Sequence, residues 1–224
     1  MPSVYELSLP LDEEAIRALR VGDTVFYSGI LHTIRDMGHR RIIAMVDEGR
    51  KEEIPFKTMF NGVLWHCGPV VKYLEDEEKW VVKSAGSTTS SRFSELGKRL
   101  IEDLDLRLTI GKGTMTKMVY DAMKKTGSCY LNTTGGCAAM YAQQIEAVEN
   151  VYWTDLGLPE ACWTLRVKDF GPLMVSIDST GDSLYDRLQV DLKKNLEELY
   201  QEHGLKDKYA FWPKRVASGV SIEH

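Results

Sequence analysis

Two spacings of apolar positions divide this sequence. In the first third, apolar and polar residues alternate as a half-buried strand requires. Thr24 to Ile30 is β-branched and aromatic, Gly62 to Tyr73 is strand-like with a break at Gly68-Pro69, and Lys79 to Ser84 reads as a further strand. Gly22-Asp23 marks the turn into the first of these. Two helices interrupt the strands: a short one at 13 to 20 with Asp12 as its N-cap, and one from Thr33 through Arg35 and His39 to about Val46.

From residue 84 onward, strand and helix signals alternate as whole elements. The pattern predicts a loop at Ala85 to Ser91, helix 92–104, strand 106–111, helix 115–126, strand 128–133, helix 137–149 and strand 151–155. Strand, helix, strand repeated in this way predicts a parallel sheet covered by helices. Strands at Thr164 to Lys168 and Leu173 to Asp178, a turn at Thr180-Gly181 and an amphipathic helix near 184–202 complete the set. The expected fold class is α/β, with a β-rich N-terminal part and a parallel βαβ core. One domain spans 1–204, and 205–224 reads as a C-terminal extension.

Composition narrows the function classes. A net charge of -5 gives no field that favours nucleic acid, and no dense Lys/Arg stripe stands out. No apolar run reaches the roughly 18 to 20 residues of a membrane span, and the first residues carry acids where a signal peptide carries bases. The expectation is a cytoplasmic protein with neither a nucleic-acid nor a membrane partner. Cys67, Cys129, Cys137 and Cys162 lie far apart in or near apolar stretches, without the paired spacing of metal ligands, which predicts mostly buried free thiols and no metal site in this chain.

Three loops carry candidate chemistry, each where a strand hands over to a helix, the usual ligand position in α/β folds. The first, Ala85 to Arg92, has hydroxyls at Ser87, Thr88, Thr89, Ser90 and Ser91, followed by the planar cationic fork of Arg92. Hydroxyls, free backbone N–H groups and an arginine make an anion site, although a Ser/Thr-rich helix cap with a solvated arginine has the same sequence. The second loop is Gly111-Lys112-Gly113-Thr114. It is not a nucleotide phosphate loop, because Gly113 follows Lys112 and no glycine stands five residues upstream. Lys112 offers a point charge, or is a turn lysine. The third loop, Thr133 to Ala139, has small residues that leave room for a ligand or pack tightly. Arg35 and His39 share one helical face earlier in the chain. A serine hydrolase is disfavoured, since G-x-S-x-G is absent and nothing in the sequence pairs a serine with a histidine.

In order and spacing, these segments resemble the beta subunit, or C-terminal half, of iron-sulphur class I fumarases and L(+)-tartrate dehydratases. The matching pieces are Leu19 to Asp23, Ser28-Gly29, Arg35-Asp36 with His39, Cys67-Gly68-Pro69, Gly86 with Thr88 to Arg92, Gly111 to Gly113, Gly135-Gly136, Asp155 to Gly157, Asp169-Phe170 and Ile177-Asp178. Ser87 departs from a proline, and Thr114 from a glycine, common in that family. The segments Trp65 to Val71, Gly135 to Cys137 and Trp153 to Glu160 resemble the tartrate dehydratase branch more closely.

The resemblance implies a swivelling β/β/α domain and a hydro-lyase that reversibly dehydrates a C4 2-hydroxy dicarboxylate, either malate to fumarate or L-tartrate to oxaloacetate. It implies that Arg35, Arg92 and Lys112 hold the substrate carboxylates and that Thr88 takes the proton. It also implies a hetero-oligomer whose alpha subunit carries a 4Fe-4S cluster on three cysteines, one iron serving as Lewis acid. Such chemistry needs cations around the developing charge and a metal at the departing hydroxyl. Without catalysis, the same anion loops would make a metabolite-binding or scaffold subunit.

Overall fold

The computed structural model describes residues 2–204; the predicted extension 205–224 lies outside the described residues. Among the described residues, nine strands and six α-helices form a mixed α/β architecture. The element order is β1 Val4–Ser8, α1 Glu13–Ala18, β2 Thr24–Ile34, α2 Asp36–Asp47, β3 Val63–His66, β4 Val70–Leu74, β5 Lys79–Ser84, α3 Ser94–Leu104, β6 Leu108–Gly111, α4 Lys117–Thr126, β7 Cys129–Asn132, α5 Ala138–Gln143, β8 Ile145–Tyr152, β9 Cys162–Ile177 and α6 Leu184–Glu202.

Seven strands form one sheet in the order β1-β2-β3-β6-β7-β9-β8, and a further β2–β9 pairing closes five of them into a ring. The β2-β3, β3-β6 and β6-β7 neighbours are parallel, whereas β9 runs antiparallel to β2, β7 and β8. Of the strands predicted for the parallel βαβ core, β6 and β7 are parallel neighbours and continue into β3 and β2 of the N-terminal part, whereas β8 is antiparallel to β9. The hairpin β4-β5 stands apart as a two-stranded sheet.

Strand period explains the two cores. Val63, Trp65, Leu108, Ile110 and Leu131 point to one face and pack with Tyr27, Leu31, Leu165, Phe170 and Val175. Their neighbours Leu64 and Tyr130 point to the other face and meet helices α2, α3 and α4 through Ile42, Leu100, Ile101, Leu104, Val119 and Met123. Helix α3 shows how the sequence achieves this: Gly97, Leu100, Ile101 and Leu104 fall at helical spacing on its buried face. Gly97 leaves room there for the end of the Met115 side chain, since a Cβ would sit 2.9 Å from Met115 Cε.

Several boundaries differ from expectation. Strand β2 continues to Ile34 and α2 begins at Asp36, because Leu31 and Ile34 are wholly buried in the sheet and the cores beside it. The predicted helix 137–149 ends at Gln143, and Ile145–Tyr152 is strand β8 paired with β9. Ala, Gln and Glu favour a helix there locally, but the backbone partners offered by β9 decide the outcome. The predicted strand 151–155 therefore ends at Tyr152, and Thr154–Leu156 is a 3₁₀ turn. The two strands expected at 164–168 and 173–178 are one strand, β9, and β1 adds an unforeseen edge to β2. No helix among the described residues is long and apolar enough to cross a membrane.

Candidate functional site

The three loops singled out in the sequence converge. They lie beyond the C-terminal ends of β3, β6 and β7, where a parallel sheet leaves a crevice. The 85–92 segment is stitched to all its neighbours: Cys67 bridges Ser87, Thr89 bridges Lys112, and the Ala85 amide donates to the Ala138 carbonyl at 3.0 Å. Gly86 permits that approach, since a Cβ would come within 3.0 Å of Ala138 Cβ. Ser87, where the resembled family commonly has proline, accepts from Trp65 Nε1 at 2.6 Å and lies 2.7 Å from Thr133 Oγ1. Its hydroxyl thus joins the first and third loops in a way a proline could not.

Thr88 is half-buried, and its amide donates to the His66 carbonyl at 2.9 Å. Among the described residues its hydroxyl has no hydrogen-bond partner, in contrast to its neighbour Ser90, whose hydroxyl is buried and bonded. Ser90 to Phe93 form a 3₁₀ turn that leads directly into α3, and this turn carries Arg92 to the surface. Arg92 Nη2 donates to Asp36 Oδ2 at 2.5 Å, and the guanidinium lies 5.0 Å from the Phe93 ring centroid. Asp36 occupies the first turn of α2, where a carboxylate complements the helix dipole.

Arg35 is the N-cap of α2 and follows the end of β2. Its Nε lies 3.5 Å from Glu160 Oε1, and its Cδ presses against Gly68, where a Cβ would approach to 2.7 Å. The Cys67-Gly68-Pro69 signal is thus explained by packing: Gly68 makes room for Arg35 and for the Pro159 carbonyl. Lys112 forms no ion pair among the described residues, and its Cδ lies 3.8 Å from the position of a Cβ on Gly135. Four sequence-predicted residues therefore fall in one connected neighbourhood: Thr88 and Arg92 on one loop, Lys112 paired beside them, and Arg35 linked through Asp36.

Beneath the loops lies a layer of which sequence reasoning named His39 but missed His66. His66 ends β3, is fully buried, and has its Nδ1 2.9 Å from Ser90 Oγ. Its ring packs against Phe93 at 4.7 Å and His39 at 5.2 Å. His39, also buried, holds the Arg35 carbonyl through Nδ1 at 2.7 Å. Burial lowers the pKa of His39 to about 4, and burial, with the nearby Arg92 charge as a lesser cause, holds His66 well below its ordinary value. Both imidazoles are neutral near pH 7. The expectation that no serine pairs with a histidine is corrected by His66 and Ser90. The pair still lacks the exposure and the orienting carboxylate of a hydrolase nucleophile, so the rejection of that class stands. Glu160 was likewise missed as a partner, since 125 positions (160 − 35) separate it from Arg35.

No three His, Cys, Asp or Glu side chains among the described residues are arranged to hold a metal. Cys67, Cys129 and Cys162 are buried free thiols whose pKa burial raises, that of Cys129 to about 12, and Cys137 is half-buried. Burial of Cys67, Cys129 and Cys162 opposes the ionisation that iron ligation requires, and among the described residues the cysteines are not gathered into a ligand set for an iron-sulphur cluster.

The family model described as Fumarase C-terminus matches residues 4–188. The chain is 38% identical over 179 residues to the L(+)-tartrate dehydratase subunit beta of Escherichia coli, a match covering 80% of this chain and 85% of that one. It is 37% identical over 190 residues to a Methanocaldococcus jannaschii protein provisionally named L(+)-tartrate dehydratase subunit beta, covering 84% and 95% of the two chains. A Geobacillus stearothermophilus protein provisionally named fumarate hydratase class I is 41% identical over 203 residues, which is 88% of this chain but 36% of that one.

Proposed function

The chain belongs to the Fumarase C-terminus family, and on that premise we propose that it supplies the substrate-holding half of a two-subunit enzyme. It is a hydro-lyase beta subunit of the fumarate hydratase and L(+)-tartrate dehydratase type. In this reading Arg35, Arg92 and Lys112 hold the two carboxylates of a C4 2-hydroxy dicarboxylate. Thr88 takes the proton beside one of them. One observation carries the reading: the hydroxyl of Thr88, unbonded among the described residues, stands on the loop that ends in Arg92 and is paired to the Lys112 segment.

Arg92 retains capacity for a ligand although it is paired, because Asp36 engages only Nη2 and leaves the remaining N–H donors of the fork. Lys112 adds an ammonium without a carboxylate partner among the described residues. Together these cations offset the second negative charge that develops when a proton leaves the carbon beside a carboxylate. A threonine hydroxyl takes that proton efficiently only if another group accepts its own, and no described side chain bonds to Thr88 Oγ1. The accepting group is therefore assigned to the alpha subunit. A 4Fe-4S cluster is assigned to the same partner, where it would supply the Lewis acid for the departing hydroxyl.

The finer reading is an L-tartrate dehydratase in the cytoplasm, with this chain as its swivelling β/β/α domain. Support for the branch comes from two relatives named as L(+)-tartrate dehydratase beta subunits, 37% and 38% identical to this chain. The test is to purify the chain anaerobically with its alpha subunit and compare kcat/KM for L-tartrate, malate and fumarate. L-Tartrate should lead. A complex that turns over none of the three contradicts the reading.

A further inference from the structure

Ser90 is wholly buried although Thr89, Ser91 and Arg92 around it are exposed. Its hydroxyl sits between two partners: it receives the Lys112 backbone N–H at 3.3 Å and faces His66 Nδ1 at 2.9 Å. The Ser90 amide in turn donates to the Lys112 carbonyl at 3.0 Å. His66 is itself bound twice to the same segment, through its ring to Ser90 and through its carbonyl to the Thr88 amide. The Thr88 and Lys112 segments therefore meet through one serine and one histidine, neither of which a ligand can touch.

His66 Nε2 is buried without a partner, so the ring is held through Nδ1 alone, by its hydrogen bond with Ser90 Oγ. Burial keeps the ring neutral, so this hydrogen bond is the same across the neutral pH range. Space is fixed as tightly as bonding: a Cβ on Gly111 would lie 1.9 Å from Ser90 Oγ and 2.7 Å from the Tyr130 hydroxyl. Phe93 and His39 pack against the His66 ring, with ring centroids 4.7 and 5.2 Å away.

We propose that Ser90 and His66 are a buried positioning pair that sets the separation between the Thr88 hydroxyl and the Lys112 ammonium. This inference rests on the reading of Thr88 and Lys112 given above. The pair acts on both binding and turnover, because it places a substrate-holding cation and the proton-accepting hydroxyl in one frame. A role in stability alone would lower the amount of active complex and leave KM unchanged.

The test uses the reconstituted two-subunit enzyme, with kinetics normalised to assembled complex. Ser90→Ala should lower kcat/KM by tenfold or more, with KM raised and kcat reduced. His66→Gln, whose amide nitrogen takes the place of Nε2 rather than Nδ1, should do the same. His66→Asn, whose amide nitrogen reproduces Nδ1, should recover most of the loss. The double variant Ser90→Ala/His66→Gln should be no worse than either single one, as expected of residues acting as a unit. Multiplicative losses in the double variant, or Ser90→Ala kinetics within twofold of wild type, would overturn the proposal. If His66→Gln fails to assemble, Ser90→Ala alone decides. Thr88→Val and Arg92→Ala run alongside: if they too turn over normally, the reading of the site itself has failed, and the two failures are thereby told apart.

Discussion

Arg92 Nη2 donates to Asp36 Oδ2 at 2.5 Å, tying the arginine that leads into α3 to the residue beside Arg35 at the start of α2. Two segments 56 residues apart are thus joined by a charged hydrogen bond, with Asp36 holding the guanidinium of Arg92. The pair is substantially exposed, so it contributes little to stability, within about 1 kcal/mol. Its consequence is orientation.

Arg92→Lys should raise KM and lower kcat/KM, because an ammonium keeps the charge but loses the planar fork. A lost charged hydrogen bond costs about 1.5 to 3 kcal/mol. Arg92→Ala should be worse, and Asp36→Ala should fall between Arg92→Ala and wild type. Steady-state kinetics of the reconstituted enzyme measure this. Unchanged kinetics in both Arg92 variants would make Arg92 only a surface arginine at a helix start.

Thr88→Ala should reduce kcat by roughly 10²-fold or more, the scale of a lost general base. Thr89→Ala, one residue along the loop on an exposed side chain, should do far less. Thr88→Val keeps the β-branched shape and removes the hydroxyl; normal turnover in that variant would show that Thr88 packs the loop and that another group takes the proton.

The buried histidines make stability depend on pH. His32 and His39 have pKa values lowered to about 4, and His66 lies well below 6.5, all chiefly through burial. Unfolding raises each toward 6.5, so the unfolded chain binds more protons in acid. The stability these neutral rings maintain is complete above about pH 6.5 and is lost as pH falls from there toward 4. Each contributes a slope of up to about 1.4 kcal/mol per pH unit in that window. Chemical denaturation at pH 7, 6 and 5 measures it, and His66→Asn should reduce the slope by about one proton. An identical slope in that variant would mean that His66 is not buried neutral.

The sequence made the site's loops legible because each combines small or hydroxyl residues with a strand-to-helix boundary, a local signal. The same holds for α3, β6, α4 and β7, whose periodicity and caps are local. What escaped was decided by pairing across the chain. Strand β8 reads as helix until β9 supplies its partner, β1 is an edge that exists only beside β2, and pairing with β2 from Thr24↔Met174 to Thr33↔Trp163 makes β9 one long strand rather than two. The His66 part of the supporting layer escaped for the same reason. His66 is adjacent to Cys67-Gly68 in sequence, but its tie to Ser90 arises only when β3 and the 85–92 loop meet, and Glu160 reaches Arg35 only through the fold.

The division of labour between subunits is tested most directly by complementation. The chain expressed alone, and together with its alpha subunit, is purified anaerobically and assayed for iron, sulphide and dehydration of L-tartrate and malate. The account predicts a folded, inactive single chain without stoichiometric iron, and activity on addition of the alpha subunit. Stoichiometric iron and sulphide with turnover in the chain alone would contradict it.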